Sequence, residues 1–153
     1  MGFRSKEQII TGVRVIGLLL ILEAGFMSLS LIPALYYKQG DFFALLISAL
    51  ITLCAGLLCR IKRVEKQLSI DKRLGISIVA LIWLLIGFFG SLPYLIGGYI
   101  PNIADAVFET TSGLTTTGAT ILSDVESLPK GILFWRSLTH WIGGVGIVVS
   151  VVY

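Results

Sequence analysis

Long apolar blocks leave this chain little choice of surroundings. Residues 13–37 read VRVIGLLLILEAGFMSLSLIPALYY, residues 42–59 FFALLISALITLCAGLLC, and residues 74–100 LGISIVALIWLLIGFFGSLPYLIGGYI. A fourth block opens near Ile132 as ILFWRSLTHWIGGVGIVVSVVY and reaches Tyr153 without a polar stop, as a span cut short would. About 20 apolar residues wound as a helix cross a bilayer, so each block is expected to be a membrane helix. Only 14% of the 153 residues are charged, against about 25% in a soluble domain. The first block is long, has no small-residue cleavage site and is soon followed by others, unlike a signal peptide. Membrane lipid is the expected surrounding, and nothing points to nucleic acid.

The basic residues set the expected orientation. Arg4, Lys6 and Arg14 precede or open the first span, and Arg60, Lys62, Arg63, Lys66, Lys72 and Arg73 follow the second. These make nine of the twelve Lys and Arg residues; Lys38, Lys130 and Arg136 lie on the other side. Basic loops stay in the cytoplasm. The N-terminus is therefore expected inside, the turn at 38–41 outside, the basic loop inside and the segment after Ile100 outside. Cys54 and Cys59 sit in one apolar block and are expected to be small buried hydrophobes rather than a disulfide.

Between the third and fourth blocks lies PNIADAVFETTSGLTTTGATILSDVESLPKG. Asn102 is a good N-cap residue with Asp105 three positions on, and Ile103, Val107, Phe108 and Leu114 fall near helical spacing. A helix of about 11 to 12 residues up to Gly113 would be about 17 Å long, half a bilayer. Gly113 is expected to close it with a left-handed cap. The β-branched Thr115, Thr116 and Thr117 favour extended backbone, five such residues would climb about 16 Å, and Gly118 permits a conformation closed to other residues. Non-helical backbone at membrane depth must be buried in protein or line a watery path. Its carbonyls, with the negative end of the half-helix dipole, would suit a cation. The competing reading is a polar external loop, and the residues alone do not choose between them.

Other positions carry two readings each. Asp105 and Glu109 share a helix face, where they would gather cations at an outer mouth or pair with Arg136. Glu23, in the first span, is a functional candidate by its depth, though a structural, neutral or hydrogen-bonded role suits its place in a peripheral hairpin. His140 is expected to make an interhelical hydrogen bond. Gly143, Gly144 and Gly146 allow close helix approach, and Pro33 and Pro93 should kink their spans. An enzyme built on Asp105, Glu109 and His140 lacks a nucleophile–base pair or a dense ligand cluster.

The order of span, half-helix, FETTSGLTTTGAT and then FWRSLTHWIGGVGIVV resembles the Trk/Ktr/HKT superfamily of cation transporters, most of all its bacterial TrkH/TrkG branch. The W-x-G-G-x-G-I pattern at 141–147 and the extra leading hairpin carry the likeness across the whole chain. The resemblance implies an all-α polytopic membrane protein: an N-terminal hairpin with its basic loop (1–73), then one pore repeat of helix, re-entrant loop and incomplete helix (74–153). It implies that backbone carbonyls of Thr115, Thr116, Thr117 and Gly118 coordinate K+, with no cofactor. A glycine at the position of Gly118 goes with potassium selectivity, whereas serine in some plant relatives goes with sodium. It further implies three more pore repeats, a homodimer, a cytosolic nucleotide-binding regulatory subunit and a bacterial inner membrane. One repeat in place of four leaves an alternative: a non-conducting truncated protein with an assembly or regulatory role.

Overall fold

The computed structural model describes the backbone of residues 2–61 and 72–152, and side chains within 7–61 and 73–146. Six helices follow one another: α1 (Gly2–Leu29), α2 (Leu31–Tyr37), α3 (Phe42–Arg60), α4 (Lys72–Ile96), α5 (Ile103–Leu114) and α6 (Lys130–Val152). Most of the basic loop, with Lys62, Arg63 and Lys66, lies outside the described residues, as do the side chains of Arg4, Lys6, Lys72 and Ile147.

Among the described residues, three stretches are long and apolar enough to cross a membrane: Glu7–Tyr37, Phe42–Arg60 and Arg73–Ile96. The first is broken at Ser30, where α1 gives way to α2. Pro33 explains the break, because it has no N–H for the Leu29 carbonyl one turn back. Pro93 is tolerated differently, with α4 continuing through it to Ile96. The third span is therefore shorter than expected. Beyond Ile96 the chain turns through Gly98 (φ 69), and the N–H groups of Tyr99 and Ile100 return to the Tyr94 carbonyl at 3.0 and 3.3 Å.

Small residues let the first two spans touch. The buried face of α3 is Ala44, Leu45, Ser48, Ala49, Thr52 and Gly56, a stripe at helical spacing. A Cβ on Gly17 would meet the Gly56 carbonyl at 2.7 Å, and one on Gly56 would meet the Gly17 carbonyl at 2.9 Å. Such backbone approach is how helices associate where lipid removes the hydrophobic drive. The hydroxyls on this stripe are satisfied within their own helix: Ser48 Oγ donates to the Ala44 carbonyl and Thr52 Oγ1 to that of Ser48, at 2.6 and 2.8 Å. Large apolar side chains such as Phe43, Leu58, Ile76 and Leu84 point outward, where lipid solvates them. Cys54 departs from expectation: it is exposed on α3, Cys59 is half-buried, and both are free thiols. Position 54 falls outside the small-residue stripe, so it faces away from α1.

The hairpin is not peripheral to the rest. Met27, Ala34, Leu45, Ala49, Tyr94, Ile100, Ala106, Leu128, Ile132 and Trp135 form one core drawn from every helix. Polar contacts fasten its outer end. Gln39 Oε1 accepts from the Lys130 N–H and Asp41 Oδ2 from the Gly131 N–H, both at 2.7 Å. Two orphan donors at the start of α6 are thus capped by the turn between α2 and α3. This pairing places the 38–41 turn and the start of α6 on the same face. Burial, and then the Asp41 carboxylate, push the Tyr99 phenol above its ordinary pKa.

Asp41 is 1% exposed, and helix caps contribute about 0.5–2 kcal/mol. Asp41→Ala should destabilise the detergent-solubilised chain by about 1–2 kcal/mol in chemical unfolding, with Asp41→Asn, which keeps an acceptor, losing less than half of that. Equal losses for both variants would show that the cap is not what Asp41 supplies.

Candidate functional site

Helix α5 is a half-helix. Its 12 residues span about 18 Å, and Asn102 Oδ1 caps it by accepting from the Ala104 N–H at 2.9 Å. Its far end lies deep. A Cβ on Gly143 of α6 would collide with the Leu114 carbonyl, and Gly143 is about 20 Å along α6 from Lys130. On the other flank, a Cβ on Gly87 of α4 would lie 2.8 Å from Thr111 Oγ1. The half-helix descends between α4 and α6, and the chain climbs back to Lys130 beside the outer turn.

The cap at the bottom differs from the expected one. Gly113 stays helical and is needed for space, since a Cβ there would run into Thr139 Oγ1. The helix runs one residue further, to Leu114, and the left-handed residue is Thr116, at φ 57. The Thr116 N–H reaches the Gly113 carbonyl at 2.9 Å and the Thr117 N–H reaches that of Ser112 at 3.0 Å. These two bonds make a Schellman motif, with a β-branched residue where glycine is usual. The left-handed conformation costs a non-glycine residue about 1–2 kcal/mol. The expected five-residue extended strand is therefore overturned: Thr115 has φ −84 and ψ 1, Thr116 is left-handed and Gly118 follows at φ 76. The physical reason is the helix end itself, whose orphan carbonyls draw these N–H groups back onto it.

That commitment of donors frees the acceptors. The N–H groups of Thr115, Thr116, Thr117 and Gly118 all point to carbonyls of residues 111–113. Among the described residues, no hydrogen bond ends on the carbonyls of those same four residues. Threonine hydroxyls are partly occupied with one another: Thr115 Oγ1 lies 2.8 Å from both the Thr111 carbonyl and Thr117 Oγ1. Residues 115–120 are exposed. Ser112, which sequence reasoning missed, anchors the turn twice, through its carbonyl and through Oγ, which donates to the Ala119 carbonyl at 2.6 Å. No spacing rule marks a serine for that part.

Glu109 holds the climbing segment to the descending one. It is 1% exposed. Arg136 Nε donates to its Oε1 at 2.7 Å, Thr120 Oγ1 lies 3.0 and 2.9 Å from its two oxygens, and the Ile121 N–H donates to Oε2 at 3.2 Å. Of the two roles open to Glu109, pairing with Arg136 is the one its geometry supports. Its carboxylate faces inward and is taken up by these donors, whereas Asp105 sits half-exposed in the first turn of α5. His140 also departs from expectation: its Nδ1 lies 2.9 Å from the Arg136 carbonyl on its own helix.

Removing one partner of a buried ion pair costs about 3–5 kcal/mol, whereas replacing both is close to neutral. Arg136→Gln should therefore destabilise the chain by about 3 kcal/mol. Adding Glu109→Gln should recover most of that loss in a double-mutant cycle read by chemical unfolding. Additive losses would mean that the two side chains are not coupled.

With this geometry in view, the chain compares closely with known membrane proteins. The family model "TrkH: Cation transport protein" matches residues 42–153. The Trk system potassium uptake protein TrkH of Vibrio parahaemolyticus is 39% identical over 99% of this chain and 30% of its own length. Its Escherichia coli K12 counterpart is 40% identical over 91% of this chain and 29% of its own length, and the E. coli TrkG protein 35% identical over 82% and 27%. The crystal structure of the potassium transporter TrkH from V. parahaemolyticus superposes with a TM-score of 0.80 over 97% of this chain and 31% of that one. The chain thus spans about 30% of the length of these relatives. An all-helical hairpin followed by helix, re-entrant half-helix and helix, matched in sequence and in shape, establishes that this chain belongs to the TrkH family of cation transport proteins.

Proposed function

We propose that this chain supplies one of four filter segments of a potassium uptake transporter. The observation that carries the reading is the row of unclaimed carbonyls from Thr115 to Gly118, whose amides are all turned back onto the half-helix. Carbonyl dipoles at that depth replace the hydration shell of a passing cation, and K+ is the ion transported. The half-helix adds its negative end, about −0.5 of a charge, from behind. Glu109 and Arg136 act as braces, Asp105 draws cations to the outer mouth, and the Thr115 and Thr117 hydroxyls stiffen the turn.

In this reading residues 1–73 are a supporting hairpin and 74–153 the first pore repeat. Three further repeats complete the ring, since a single filter segment cannot surround an ion. The names of the relatives support potassium as cargo. The distribution of basic residues supports a cytoplasmic N-terminus, and the family resemblance suggests a bacterial inner membrane. A homodimer and a cytosolic nucleotide-binding regulatory subunit complete the assembly that the family resemblance suggests.

Gly118 is the discriminating position. A side chain there must adopt the left-handed conformation of a residue at φ 76, at about 1–2 kcal/mol, or turn its carbonyl away. In a complete transporter containing this sequence, Gly118→Ser should reduce the preference for K+ over Na+ at least about tenfold, the equivalent of roughly 1.4 kcal/mol. Uptake by a potassium-uptake-deficient bacterium measures it. An unchanged potassium preference would remove Gly118 from the filter. Full rescue of such a strain by the 153-residue chain as an isolated monomer would contradict the need for further repeats.

A further inference from the structure

Glu23 stands apart from the ion path and from every polar network described above. It lies on the buried stripe of α1 with Ile16, Leu20, Ala24 and Met27, and is itself 6% exposed. Its Oε1 fills the notch left by Gly90 of α4: a Cβ built on Gly90 would lie 2.7 Å from that oxygen, 2.7 Å from Thr110 Cγ2 of α5 and 3.6 Å from Trp135 Cζ2 of α6. Four helices therefore converge on one carboxyl group. Neither of its oxygens has a hydrogen-bond partner among the described residues. The neighbouring polar groups are turned elsewhere. Thr110 Oγ1 donates to the Ala106 carbonyl and Trp135 Nε1 to that of Gly90.

Among the described residues, no hydrogen-bonded counter-ion reaches either Glu23 oxygen from the surrounding helices. On α6, Arg136 is bonded to Glu109, and on α5 Glu109 carries the same sign as Glu23 would. On α4, the buried Tyr94 hydroxyl is unpartnered. On α3, Arg60 packs beside Gly17, further down α1, and Cys54 and Cys59 are free thiols. Trapping an unpaired carboxylate among a glycine face, a methyl group and an indole edge is prohibitive, and such groups take up a proton instead.

We propose that Glu23 is a proton-binding site at the junction of the hairpin with the half-helix support, occupied whenever α1 is seated on Gly90. The ligand is a single proton exchanged with water. Its release leaves a carboxylate that needs solvent, so deprotonation and separation of α1 from Gly90 and Thr110 are one event. The sign follows: the hairpin is held most tightly at neutral and acidic pH and loosens as the pH rises far enough to remove the proton. This inference does not depend on which ion the transporter carries.

Infrared spectra of the full chain in lipid vesicles across pH test it. The expected result is a protonated-carboxyl C=O stretch at neutral pH. It should be lost in Glu23→Gln, retained in Glu109→Gln, and bleached in the wild type only at alkaline pH. Glu23→Leu, which continues the apolar stripe, serves the same purpose should the amide disturb packing. No such band in the wild type at neutral pH, or a band that survives both Glu23 replacements, overturns the proposal.

Discussion

A single buried carboxylate ties the re-entrant segment together. Glu109 accepts from Arg136 on α6, from the Thr120 hydroxyl and from the Ile121 amide, so it joins the descending helix, the climbing chain and the following helix at one point. A charge placed there is tolerable only because donors from three directions meet it. That requirement also works in reverse: once Glu109 is buried, the chain after the half-helix has to return alongside it. The turn at 115–118 is confined between this brace and the end of α5, which leaves its amides with the helix carbonyls and its own carbonyls unclaimed.

Glycines make the surrounding walls thin enough for this arrangement. Gly87 and Gly90 let α4 press against Thr111 and Thr110, while Gly113 and Gly143 let α6 press against the half-helix from the other side. The hairpin contributes from its outer end, where Gln39 and Asp41 cap α6. The position of Arg136, and through it of Glu109, therefore depends partly on a turn more than ninety residues earlier in the chain. Held by these contacts, Thr116 adopts a left-handed backbone that a β-branched residue would avoid on its own, and such strain persists only where the surroundings over-determine it.

Much of this architecture is legible in the amino-acid pattern. The spans announce themselves by apolar length, the half-helix by Asn102 and its spacing, and the break near Pro33 by the missing amide. The details that fail are those decided by tertiary contact. Gly113 looks like a cap because glycine usually is one, yet what it supplies is room for Thr139, and the left-handed residue moves to Thr116. Three threonines read as extended backbone by propensity, but the unsatisfied end of α5 outbids that preference. Cys54 reads as buried because it is apolar; which side of α3 faces α1 depends on the small residues, not on the cysteine. The two anchoring roles of Ser112 carry no sequence signal at all.

The central claim is that the carbonyls of Thr115, Thr116, Thr117 and Gly118 face a monovalent cation. Anomalous diffraction from thallium or rubidium ions soaked into crystals of a complete transporter bearing this sequence tests it most directly. The account predicts ion peaks within coordination distance of these four carbonyls, in register with the matching loops of the other repeats. Ion peaks confined to other surfaces, with these carbonyls turned into protein, would contradict it.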